Sequence, residues 1–168
     1  MINIVIDADI ASAAGTTAHP VSSSCRLLLN LVHDNGHSVS YCKKLRKEWD
    51  DHQSHYFIDW RALMFTKKRL HLINHNEDFN TSIAASDAAD EIKAIACKDS
   101  HLLDIAAANG RSIASQDEKA KAAFYAIPEI KHSIREITWI NPTTDVEDLQ
   151  KIFSKNSHNI SNEYKCFK

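Results

Sequence analysis

Glycine and proline are scarce, with three of each in 168 residues. That excludes a collagen-like or Pro/Gly-rich low-complexity chain and argues against disorder. Cysteine is thin and scattered: Cys25, Cys42, Cys97 and Cys166 form no CxxC pair. They read as reduced thiols of a cytoplasmic protein rather than a disulfide framework. No apolar run approaches the roughly 18 residues of a membrane span, so no membrane partner is expected. The opening MINIVIDADIASAAG has no basic n-region, so no signal peptide is expected. Positive charge is not in excess either. Twenty Lys and Arg meet 22 Asp and Glu, a formal charge of −2. No global field draws in nucleic acid, and a polyanion would need a local patch.

What is present is an ordinary globular inventory, 43% apolar and 25% charged. At roughly 100–200 residues per domain the length fits one domain. A chain of this size buries about two-thirds of its unfolded surface without staples.

Met1 to Ile6 is an apolar, β-branched run ending at Asp7, which suits a central parallel strand buried on both faces. A short helix over 8–14, a loop over 15–24 with Ser22–Ser24 as caps, and a helix over 25–34 follow. Asn35-Gly36 ends that helix. Residues 37–41 alternate as a second strand. Helices are expected over 42–52 and 53–69, a short strand over 70–73, and a polar loop over 75–82. A helical period runs over 83–97, and Asp99 opens a separate helix over 100–109 that stops at Gly110. Strands over 111–115 and 134–140, a short helix from Asp117 and a helix over 145–153 complete the series. Strands alternating with helices predict an α/β fold, three layers α/β/α around a mostly parallel sheet. In such sheets functional side chains gather at the carboxyl ends of strands. Asp7 and Asp117 both lie just past strand ends, which places two acids at one edge.

Four segments carry acids that can converge there: VIDADI (Asp7, Asp9), LRKEWD (Glu48), KDSHLLDIAAANG (Asp99) and SIASQDE (Asp117). Crowded carboxylates raise each other's pKa, and a divalent cation relieves the repulsion. Hard Mg²⁺ or Mn²⁺ prefers such oxygen ligands and often keeps waters and substrate phosphate oxygens.

This pattern resembles the PIN domain nucleases. The resemblance rests on a strand ending Asp7-Ala8-Asp9 and on Glu48 in the helix after the second strand. It rests most on the block from Lys98 to Glu118, in which Asp99 heads an Ala-rich stretch to Gly110 and Ser115-Gln116-Asp117 follows a strand. It covers residues 1–140. Residues 141–168, a C-terminal helix and tail, belong to the same domain or are appended to it. The resemblance implies a metal-dependent endoribonuclease, with Asp7, Glu48, Asp99 and Asp117 as catalytic and metal-binding acids. Asp9 and Glu118 would assist, and Ser115 would orient Asp117 or a water. Asp90 or Glu91 is the alternative second acid. Many small members are toxins, so the resemblance also implies RNA as substrate, an antitoxin protein as partner, and a homodimer. A non-catalytic PIN-like module that binds RNA or protein is the competing reading. Asp7-x-Asp9 also resembles the haloacid dehalogenase-like phosphatases, but the late Asp pair and Lys of that pattern are missing.

Each acid has a plainer explanation. Asp7, Asp99 and Asp117 can each cap a helix, and Glu48 can sit on a solvated face with i,i+4 pairs. Lys43, Lys44, Arg46 and Lys47 form a basic cluster that can hold substrate phosphates beside the acids. Lys67, Lys68 and Arg69 form a second. His52/His55 and His71/His75 have spacings that can share a helical face, but no Cys completes a zinc set. Tyr56, Phe57, Trp60 and Phe65 read as core or dimer surface rather than a stacking platform.

Overall fold

The computed structural model describes residues 1–74, 76–158 and 160. His75, Cys166 and the tail from residue 161 onward lie outside the described residues. Five strands form one all-parallel sheet in the order β3-β2-β1-β4-β5: β1 (Asn3–Ile6), β2 (Ser38–Tyr41), β3 (Leu70–Leu72), β4 (Ser112–Ala114) and β5 (Thr138–Ile140). Ile4, Val5 and Ile6 are fully buried, as expected for a central strand covered on both faces. Ile4 faces Val39 on one side, and Ile6 faces Ala114 on the other. The α/β class with a parallel sheet is therefore observed.

The connections divide the helices into two groups. Between β1 and β3 the chain runs through α1 (Ala8–Ala13), α2 (Pro20–Asp34), α3 (Lys43–His52) and α4 (His55–Thr66). Tyr41, Trp49, Phe57 and Trp60 stack in series on this side, with successive ring centroids 5.5, 5.4 and 5.2 Å apart. From β3 the chain reverses direction across the sheet. It passes α5 (Asp78–Ala84) and α6 (Asp90–Ala108) to β4, then α7 (Glu118–Tyr125) and α8 (Pro128–Ile134) to β5. These four helices pack on one another, and α6 lies against β1, β2 and β4. A last short helix, α9 (Leu149–Ile152), returns to α2.

Several boundaries differ from the sequence expectation. Helix α2 begins at Pro20, in the N1 position that a missing N–H favours, and His19 Nδ1 accepts from the Val21 amide in place of a serine cap. Residues 78–84 are helical because Phe79 and Ile83, four apart, are buried. Residues 90–108 form one unbroken helix, so Asp99 lies mid-helix and caps nothing. Helix α8 was not expected, and Ile134 ends it rather than starting a strand. His52 ends α3 and His55 begins α4, so they share no helical face. Among the described residues no helix is long and apolar enough to cross a membrane.

Candidate active site

The strand order reverses between β1 and β4, the switch point beside which parallel sheets open a crevice at their carboxyl edge. Asp7 leaves β1 on one side of it, and its amide donates to the Ala114 carbonyl of β4. Ser115 leaves β4 on the other. Its hydroxyl lies 2.7 Å from Asp7 Oδ2 and 3.2 Å from Asp9 Oδ2, and it accepts from the Asp117 amide at 3.0 Å. The Gln116 amide donates to Asp9 Oδ2 at 2.7 Å. Asp9 Oδ1 is buried with no hydrogen-bond partner among the described residues.

Two of these acids are also helix caps. Asp7 Oδ1 accepts from the Ala8 amide, and Asp117 Oδ1 from the Ala120 amide. Capping uses one oxygen of each carboxylate, so it does not compete with a second role.

Helix α3 brings Glu48 to the same edge. Its buried Trp49 donates from Nε1 to the Ile6 carbonyl at 3.0 Å, tying the helix to the end of β1. Glu48 Oε2 lies 3.1 Å from Nε2 of buried His101 on α6. A carboxylate only accepts, so Nε2 carries the proton, and Nδ1 is left buried without a partner among the described residues. One turn of α6 thus presents both Asp99 and the histidine that holds Glu48.

The acids sense one another. Burial pushes the Asp7 carboxyl up to about 8, with the charges of Asp9 and Asp99 adding and hydrogen bonds from Ser115 and Ala8 opposing. Burial likewise pushes Asp9 up to about 6, with the Asp117 charge adding and hydrogen bonds from Gln116 and Ser115 opposing. Asp99 is raised by burial and by Asp117 and Glu48, against Lys98 and His101. At Glu48 burial acts upward but is outweighed by His101, Lys44 and Lys98, which hold its carboxyl below the ordinary range.

Lys98 Nζ stands 3.5 Å from Asp99 Oδ2. Its side chain is 72% exposed, so it guards the rim rather than neutralising the interior. Asp99, then Asp117 and Asp7, hold its ammonium above the ordinary lysine range.

The remaining residues divide. Glu118 is engaged by Asn141 Nδ2 at 2.9 Å and by Lys121 Nζ at 3.5 Å. Lys43 and Lys44 lie beside the cleft, and Lys44 Nζ donates to the Lys98 carbonyl at 2.5 Å. Arg46 and Lys47 instead pair along their own helix with Asp50 and Asp51. Asp90 and Glu91 head α6, where Asp90 pairs with Lys93, while Glu48 meets His101 and is felt by Asp99. Sequence reasoning missed the buttress from 141–145. Gln116 Nε2 donates to Thr143 Oγ1 at 2.7 Å, and Asn141 Oδ1 accepts from the Thr143 amide. The Asn141-Pro142 pair that marks the end of a strand was the available signal.

Among the described residues no three His, Cys, Asp or Glu side chains are arranged to hold an ion. Mg²⁺ usually takes only one or two carboxylates, completing its shell with waters and phosphate oxygens. Asp7 and Asp9 meet that need, because a single hydroxyl spans both, one oxygen is orphaned, and every donor is a hard carboxylate oxygen. The residues present fit a divalent cation.

Fold and site together define a parallel α/β protein with a group of carboxylates at the carboxyl edge of its switch point. Comparison with family models, curated proteins and solved structures gives no match for this chain.

Proposed function

We propose that this protein is a divalent-metal-dependent endoribonuclease with its active site in the switch-point cleft. The observation that carries the reading is the burial of the Asp7 carboxyl beside Asp9, the two sharing the Ser115 hydroxyl at 2.7 and 3.2 Å, with the charges of Asp99 and Asp117 acting on them. Natural chains rarely keep such unfavourable burial without a use for it, and perturbed carboxyls in clefts mark functional sites. Asp7 and Asp9 would hold Mg²⁺ or Mn²⁺ directly, with Asp99 and Asp117, whose charges act on them, reaching it through its waters and Glu48 as the outlying acid. When bound, the ion would supply Lewis-acid assistance to phosphodiester hydrolysis. Ser115 keeps Asp7 and Asp9 in register. His101 turns Glu48 toward the cleft, and Lys98 at the rim is placed to meet substrate phosphate. The half-exposed Cys97 thiol and buried Cys25 and Cys42, all free, support a reducing, cytoplasmic setting.

Asp99→Asn removes one carboxylate charge beside the ion at nearly constant shape. We expect cleavage of single-stranded RNA in Mg²⁺ or Mn²⁺ to be lost while the unfolding midpoint holds. Equal cleavage by the variant would overturn the assignment. A non-catalytic RNA- or protein-binding module is the second reading, favoured by the lack of a three-ligand cluster among the described residues. Calorimetric titration with Mn²⁺ separates the two, since that module should take up no divalent cation in the cleft.

A further inference from the structure

A second cavity of about 250 Å³ lies between the first turn of α3, the start of α5 and the middle of α6. Lys43 and Lys44 stand on its α3 side, Glu77 and Asn80 on its α5 side. The α6 wall is one helical face, with Cys97, Ser100, His101 and Asp104 at three- and four-residue spacings. This cavity adjoins the acidic cleft. The His101 ring lines it while holding Glu48, and Lys44 reaches from it to the carbonyl of Lys98, one residue before Asp99.

The lining chemistry selects among ligands. Two lysines face Glu77 and Asp104, so the formal charges cancel and a bare anion gains little. Polar groups of both senses remain. Asn80 offers two donors and an acceptor, and Ser100 Oγ, which gives its proton to the Cys97 carbonyl at 3.0 Å, keeps acceptor capacity. The volume falls just below the roughly 300–1,000 Å³ of drug-sized ligand sites, which suits a single heterocycle. Single-stranded RNA is read this way, by bases splayed out and hydrogen-bonded along their edges.

We infer that this cavity receives the base of the nucleotide next to the scissile phosphate, with Asn80 reading its edge and Lys43 meeting the linking phosphate. The inference rests on the nuclease reading of the cleft and adds a source of sequence preference to it. The test is titration of the full chain, in chelator, with each of the four nucleoside 5′-monophosphates, followed by calorimetry. Ribose 5-phosphate and inorganic phosphate serve as base-free probes. At least one monophosphate is expected to bind about tenfold tighter than ribose 5-phosphate, the worth of roughly one net hydrogen bond plus ring burial. Asn80→Leu removes the edge contacts, and Cys97→Phe fills the cavity from α6. Each should abolish that excess, whereas Asp7→Asn should keep it. Equal binding of base-free probes, no binding of any monophosphate, or unchanged preference in whichever of the two variants folds would overturn the inference. The titration contains no divalent ion, so its failure leaves the Asp99→Asn cleavage assay standing, and loss of the cleavage reading leaves base binding directly measured.

Discussion

Asp7 serves two ends that oppose each other. As the cap of α1 it stabilises the fold, and as a buried neighbour of Asp9 and Asp99 it strains it. Its folded pKa of about 8 stands far above the ordinary 3.8, so between these values the folded chain keeps a proton that the unfolded chain has lost. Stability must then fall as pH rises through that window. His37, whose pKa burial lowers, contributes the opposite slope on the acid side, so the informative quantity is the difference between variant and parent. In chelator, Asp7→Asn is expected to raise the unfolding temperature at pH 8 and leave it nearly unchanged near pH 4, and in Mg²⁺ or Mn²⁺ it is expected to abolish cleavage. An identical pH slope in parent and variant would show that the carboxyl is not strained. His101 is the other informative residue. Outer partners that orient metal-binding groups typically contribute about 10–100-fold to metal affinity. His101→Leu should weaken Mn²⁺ binding by about tenfold, and His101→Gln, which places a donor near the Nε2 position, should recover part of the loss. Affinity unchanged in the leucine variant would mean that Glu48 needs no such support. Asp7, Asp9 and Asp117 could be read from sequence because each follows a strand end. The His101–Glu48 contact could not, since 53 residues separate the partners.

At the scale of elements, β1 was legible as a short apolar run covered on both faces and β2 by its alternation, whereas the helix boundaries were masked by polar residues. Lys98-Asp99-Ser100 reads as a break, yet α6 runs through it, because Ser100 satisfies its hydroxyl on the Cys97 carbonyl and Asp99 turns to Lys98. Helix α5 was hidden by Asp78, Asn80, Thr81 and Ser82, which outnumber the two residues that bury it. The end of α6 was legible, and it has a second cause beyond the turn. Gly110 sits at φ +93°, and a Cβ there would overlap the Asn3 carbonyl oxygen at the start of β1. The helix that carries Asp99 is thereby seated against the strand that delivers Asp7. Gly110→Ala combines left-handed strain with overpacking, together about 2–5 kcal/mol. Urea unfolding should show a midpoint lowered accordingly, and a loss under about 0.5 kcal/mol, the level of an ordinary surface change, would mean that α6 and β1 can slide apart freely.

The whole molecule depends on its two ends meeting, which no local pattern in the sequence announces. Strand order follows from pairing between distant segments, so the placing of Asp7 beside Ser115, 108 residues on, emerges only when β1 pairs with β4. The segment after β5 is bound in the same way. Phe153 is fully buried, and its carbonyl accepts from Asn35 Nδ2 at 2.8 Å and lies 3.0 Å from His37 Nε2. His37 Nδ1 in turn accepts from the Ile2 amide, so it carries its proton on Nε2 and joins both chain ends to the start of β2. Leu149 and Ile152 are buried beside it. At about 1.5–3 kcal/mol for each large apolar side chain, exposing these three costs about 5–9 kcal/mol. That is comparable with the roughly 5–15 kcal/mol that holds a domain of this kind together. A chain ending at Asp148 keeps every acid of the cleft and the whole 141–145 buttress, yet it is expected to lose cooperative unfolding in calorimetry and all divalent-dependent cleavage with it. A truncated chain that still melts cooperatively within a few degrees of the parent would show that the cleft is assembled by the sheet alone. Phe153→Ala, at about 3–5 kcal/mol, should fall between the two, lowering the midpoint while leaving cleavage measurable in the cold.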